Sequence, residues 1–150
     1  METEAGMEMM QKQKQKKILI IDDDMKIGNL EQEVLEQAGY YCHRAYSGTE
    51  ALLCLEHTRP DLILLDLMLP GLSGEEILRK IQGTPVIVVS AKAGIYDKVS
   101  LLLGGAEDYI TKPFSTKELM ARIEVQLRKV VSPLSDVLRY NFQQGIVTRC

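Results

Sequence analysis

Three short runs, ILII at 18–21, LILL at 62–65 and VIVV at 86–89, are apolar at every position. A strand with one wet face alternates apolar and polar residues, so a run without alternation is buried on both faces. Three such strands in one chain call for a parallel sheet covered by helices on both sides. The segments between them have helical spacing. MKIGNLEQEVLEQAG (25–39) carries Ile27, Leu30, Val34 and Leu35 and stops at Gly39. SGTEALLCLEHTRP (47–60) carries Ala51, Leu52 and Leu55 and ends before Pro60. SGEEILRKIQG (73–83) turns Ile77, Leu78 and Ile81 inward, with Ser73 as its cap. AGIYDKVSLLLGG (93–105) is stopped by glycines. STKELMARIEVQLRKVV (115–131) turns Leu119, Ile123 and Leu127 inward, with Ser115 and Glu118 spaced as a capping box. YYCHRAY (40–46) and AEDYIT (106–111) are further strand candidates. The expectation is a doubly wound (βα)5 α/β sandwich with right-handed crossovers.

A length of 150 residues suits one core. Residues 1–16 are polar and read as a flexible tail, 17–130 as the domain, and 131–150 as a linker with a possible truncated start of another domain, since Pro133 breaks from the last helix. A net charge of −3 gives no support for a basic nucleic-acid surface. No run approaches the ~18 apolar residues of a membrane span, and the first residues lack the apolar core of a secretory signal, so a cytoplasmic location is expected. Cys42, Cys54 and Cys150 are odd in number, widely spaced and without a CxxC pair, so they read as free thiols. His43 and His57 have no metal spacing. Neither GxGxxG nor a Walker A loop occurs, which weakens any nucleotide-binding reading.

Polar residues cluster at the C-terminal ends of the apolar strands: Asp22 and Asp23 after the first, Asp66 after the third, Ser90 after the fourth and Lys112 after the fifth. In open parallel sheets, ligands bind outside those ends. If the first and third strands are neighbours, as in the order 2-1-3-4-5, the three acids share one pocket flanked by Ser90 and Lys112. Carboxylates crowded together need a cation, and oxygen ligands without His or Cys select a hard ion such as Mg²⁺. Mg²⁺ keeps room for a phosphate oxygen, and Asp66 could act as a nucleophile giving an aspartyl-phosphate, with Mg²⁺ and Lys112 neutralising the phosphoryl oxygens and Ser90 donating to them. Asp24 fits a helix cap. A haloacid-dehalogenase-type phosphohydrolase also uses an aspartyl-phosphate, but it needs a second acid two residues on, where this chain has Met68. A pure interaction module that has lost phosphorylation would not need the intact set.

ILIIDDD, DLILLDLMLPGLSG, VIVVSA and DYITKPF, in that order and at the usual spacings, resemble the four signatures of the receiver (CheY-like) domain of two-component response regulators. The resemblance spans about residues 17 to 130. It implies a flavodoxin-like fold with sheet order 2-1-3-4-5. It implies that Asp66 takes a phosphoryl group from a sensor histidine kinase. It also implies that Asp23, Asp66 and the Met68 backbone carbonyl bind Mg²⁺ directly, with Asp22 acting mainly through water. Ser90 and Lys112 would contact the phosphoryl group, Tyr109 would be the aromatic that changes rotamer, and the peptide bond before Pro113 would be cis. Such a domain catalyses only its own phosphorylation and dephosphorylation.

GAEDYITKPFSTKELMARI looks more narrowly like the OmpR-like subfamily, whose receivers feed a winged-helix DNA-binding domain. That implies transcription regulation by a longer parent protein, with DNA contacted only through an effector domain. It also implies a homodimer through the fourth helix, fifth strand and fifth helix, with Lys98, Glu118, Asp108 and Arg122 as the charged pairs of that face. Three positions depart from the pattern: SLLLGG puts Leu101 and Leu103 where a small or charged residue is frequent, so one of them is expected to be exposed. Ser73 stands where an acid or asparagine is frequent.

Overall fold

The computed structural model describes residues 15–91 and 95–129 of the 150-residue chain. The segment expected as a linker, 131–150, and nearly all of the expected tail lie outside these. The described residues form strands β1 (Lys17–Ile21), β2 (Tyr41–Ala45), β3 (Leu62–Leu65), β4 (Val86–Ser90) and β5 (Asp108–Thr111). Between and after them run helices α1 (Met25–Gln37), α2 (Gly48–His57), α3 (Gly74–Lys80), α4 (Ile95–Leu103) and α5 (Thr116–Lys129). All strand pairs are parallel, in the order β2-β1-β3-β4-β5. This is the flavodoxin-like doubly wound arrangement.

Every residue of β3 and β4 is buried, as non-alternating strands require. Alternate residues feed two cores. Leu19, Ile21, Ile63, Leu65 and Val88 pack with Ala51, Ile77 and Leu101 from α2, α3 and α4. Ile18, Ile20, Leu64 and Ile87 pack with Leu35 of α1 and Leu119, Ile123 and Leu127 of α5. Among the described residues, no helix is long and apolar enough to cross a membrane.

Local signals hold the helix starts. Asp24 accepts from the N–H groups of Lys26 and Ile27 at 2.9 and 3.1 Å and so caps α1. Ser73 and Glu76 form a complete capping box on α3, and the Glu118 N–H donates to Ser115 Oγ at 3.1 Å. Cys42 is buried and Cys54 half-buried, and burial pushes the Cys42 thiol up to about 12. Such a thiol is inert packing rather than a reactive group.

One helix sits differently from the expectation. On α1 the buried positions are Gly28, Glu31 and Leu35, while Leu30 is exposed. Leu35 is buried as expected and Ile27 and Val34 are half-buried, so the inward face is the expected one shifted toward Gly28 and Glu31, with Leu30 left outside it. Arg44 of β2 packs against this face. Its guanidinium lies over Gly28, where a Cβ would stand 2.6 Å from Arg44 Cζ, so α1 brings its side-chain-free position against the sheet there.

Candidate functional site

Parallel register brings the polar strand ends together. Ile21 pairs with Leu65, so Asp22 and Asp66, the next residues, emerge side by side. The ladder continues one step further. Asp22 N–H donates to the Ala45 carbonyl at 3.1 Å, Asp66 N–H to Ile21 at 2.9 Å and Lys112 N–H to Ser90 at 2.9 Å. The side chains are therefore fixed by backbone bonds directly beneath them. Gly74 lets α3 begin close under this loop, since a Cβ there would stand 2.8 Å from the Asp66 carbonyl oxygen.

Asp22, Asp23 and Asp66 each bring a carboxylate oxygen to within 4.8 Å of the others. Asp22 and Asp66 are 2% and 5% exposed, while Asp23 faces solvent. Lys112 Nζ donates to Asp22 Oδ2 at 2.8 Å and to Asp66 Oδ2 at 3.0 Å. Asp22 Oδ1 accepts from the Asp24 N–H at 2.9 Å, and Asp66 Oδ1 from the Met68 N–H at 3.1 Å. Burial holds the Asp22 carboxyl above the usual carboxylate range, although Lys112 and the Asp24 N–H pull it down. Burial also works against the Lys112 ammonium, yet its hydrogen bonds to Asp22 and Asp66 outweigh that and raise its pKa. Three acids and one lysine leave two negative charges uncompensated. An oxygen-only donor set with one open side fits a small divalent cation that keeps part of its water.

Ser90 closes β4 and is fully buried. Tyr109, on β5, is buried, with Lys98 Nζ 5.3 Å from its ring centroid. The Lys112–Pro113 peptide bond is cis. On the α4–β5–α5 side, Arg122 Nη1 donates to both carboxylate oxygens of Asp108 at 3.0 and 2.9 Å, and Arg122 Nε to Glu118 at 3.2 Å. Within the chain, then, Glu118 partners Arg122, and Lys98 lies over Tyr109. Of the leucines on α4, Leu101 is buried and Leu103 is 84% exposed.

A buried acid that the sequence did not mark stands behind the pocket. Glu31 is 1% exposed on α1, and Asp22, Lys112, Arg44 and Asp66 all act on it. Burial first, then the Asp22 charge, push its pKa up to about 8. A glutamate in an amphipathic helix is ordinarily solvated, so no sequence signal separated it from Glu33 or Glu36.

A family model described as the response regulator receiver domain matches residues 18–124. Among solved structures, the receiver domain of the Francisella response regulator 1452 is 35% identical, with a TM-score of 0.73, over 76% of this chain and 98% of that one. A CheY-like response regulator receiver domain protein from Methanospirillum hungatei is 34% identical, with a TM-score of 0.73, over 77% of this chain and 95% of that one. The BeF3-activated N-terminal receiver domain of Klebsiella pneumoniae RstA is 31% identical, with a TM-score of 0.71, over 75% of this chain and 98% of that one.

Proposed function

Because this chain belongs to the response regulator receiver domain family, and is a phosphoacceptor switch of the kind that takes phosphate from histidine kinases, we propose that Asp66 is its phosphoacceptor. The observation that carries this is the position of the Asp66 carboxylate. It is buried at the end of β3, 3.0 Å from Lys112 Nζ and within 4.8 Å of two further acids. An Asp66 oxygen attacks phosphorus, the phosphorus–nitrogen bond of a phosphohistidine breaks, and the imidazole leaves with the electron pair. Asp23, Asp66 and the Met68 carbonyl, with Asp22 mainly through water, would hold Mg²⁺, which supplies charge neutralisation at the phosphoryl oxygens. Lys112 supplies a second positive charge and Ser90 a hydrogen bond. Drawing Ser90 toward the phosphoryl group leaves space that Tyr109 can fill, and the α4–β5–α5 surface shifts population. The chain is then a signalling domain that catalyses only its own phosphorylation and dephosphorylation.

The output proposed is transcription regulation in the cytoplasm by a longer, OmpR-like parent, with DNA contacted by an effector domain. Incubation with acetyl phosphate and Mg²⁺ should give one phosphoryl adduct by intact mass, which fails to form without Mg²⁺ or in Asp66→Ala. A stable adduct on that variant, or none on the wild type, would sink the assignment.

The exposed Leu103 and the Arg122–Asp108 pair support α4–β5–α5 as a homodimer face. Exposed ion pairs of this kind set register more than affinity. Beryllofluoride-treated protein should elute as a larger species on size exclusion, and Leu103→Asp should return it to the monomer position. Treated wild type that stays monomeric counts against this face.

A further inference from the structure

Glu31 and Arg44 are two ionisable residues that the acid pocket leaves unexplained. Glu31 lies outside the group of acids whose oxygens approach one another. The Asp22 carboxylate nearby is already engaged by the Asp24 N–H and Lys112. The charged groups acting on Glu31 come from four directions: Asp22 after β1, Arg44 on β2, Asp66 after β3 and Lys112 after β5, and Glu31 in turn raises the Cys42 thiol on β2. With its pKa raised by burial and by Asp22 to about 8, Glu31 carries its proton at neutral pH.

Arg44 is half-satisfied. Its Nη1 donates to Asn29 Oδ1 at 2.8 Å and to Gln32 Oε1 at 3.2 Å, and its Cζ stands 4.9 Å from the centroid of the Tyr46 ring. Its other edge, Nε and Nη2, is buried and finds no hydrogen-bond partner among the described residues. Those two N–H groups are the fork that a carboxylate fits with both oxygens. The fork lies over Gly28, one turn before Glu31 on the same buried face of α1.

We propose that Glu31 and Arg44 form a proton-linked charge pair behind the acid pocket: when a divalent cation settles among Asp22, Asp23 and Asp66, Glu31 releases its proton to water and takes the open Nε/Nη2 edge of Arg44 as its partner. This rests on the assignment of the three acids as the cation site. The pocket's uncompensated charge makes another carboxylate unfavourable, and a dication removes that penalty. A carboxylate left buried then needs a charged partner, which Arg44 can supply by a rotamer change without unfolding. Cation affinity thereby becomes linked to pH through a residue that does not touch the cation.

The test is calorimetric titration of the whole chain with Mg²⁺ in two buffers of different ionisation enthalpy near pH 7. The wild type should release about one proton per Mg²⁺ bound, and its affinity should rise roughly tenfold between about pH 6.5 and 8.5. Glu31→Gln should bind Mg²⁺ with neither the release nor the rise. Arg44→Met, which keeps an apolar stem over Gly28, should bind Mg²⁺ more weakly and release fewer protons. Carbon-detected NMR of the wild-type Glu31 carboxyl, needing no variant, should show its pKa falling on Mg²⁺ addition. Equal proton release from wild type and Glu31→Gln, or an unmoved Glu31 titration, overturns the inference while leaving the cation site standing. A wild type that binds no Mg²⁺ overturns both.

Discussion

Lys112→Met is expected to destabilise the metal-free protein by about 3–5 kcal/mol at neutral pH, the usual consequence of removing one partner from a buried ion pair. The reason is geometric. One ammonium bonds Asp22 and Asp66 at 2.8 and 3.0 Å, and both carboxylates are almost fully buried. Methionine fills the aliphatic stem's volume, so the loss is of charge and hydrogen bonds rather than packing. Both acids are then buried beside a third with nothing to balance them. Urea unfolding should show the loss, and adding Mg²⁺ should recover a substantial part of it, because the cation replaces the missing charge. The same variant should form little or no aspartyl adduct with acetyl phosphate. Wild-type stability without Mg²⁺ would mean that the acids share protons instead of depending on Lys112.

Glu31→Leu should stabilise the metal-free protein at high pH, and the sign follows from linkage. Burial pushes the folded pKa of Glu31 up to about 8 from its ordinary value of 4.5. Below the lower value both folded and unfolded states are protonated, and the ionisation of Glu31 costs nothing. Between the two, the unfolded chain ionises and the folded one does not, so wild-type stability falls as pH rises by about 1.4 kcal/mol per unit. The fall should reach roughly 3 kcal/mol at pH 7 and level off above the folded pKa. Leucine removes that slope. Denaturation at about pH 5 and pH 8 separates the effects: better packing raises both values equally, whereas the proton linkage appears only as the difference between them. A variant whose advantage is the same at both pH values would show that Glu31 is ionised in the folded state.

Several features of this protein were determined by its sequence alone. Non-alternating runs at 18–21, 62–65 and 86–89 can only be buried on both faces, so they imposed a covered parallel sheet. The caps at Asp24, Ser73 and Ser115 are local hydrogen bonds between residues two or three apart, and the chain forms them as read. The polar strand ends could also be picked out, because an acid directly after an apolar run has few reasons to be there. Tertiary structure decided what no local pattern encodes. Lys112 meets Asp22 across 90 residues only because parallel pairing lines up the strand ends. Three consecutive leucines on α4 cannot say which faces inward; the seat of the helix buries Leu101 and exposes Leu103. The exchange of Leu30 for Glu31 on the inward face of α1 is the clearest case. Periodicity left Leu30 and Glu31 as neighbours one residue apart, and a glutamate's ordinary place is in water. In the fold Gly28 lies against the Arg44 guanidinium, the leucine faces solvent and the acid is buried. Helical spacing constrains a face only to within about one residue, and long-range packing chooses among the faces it allows.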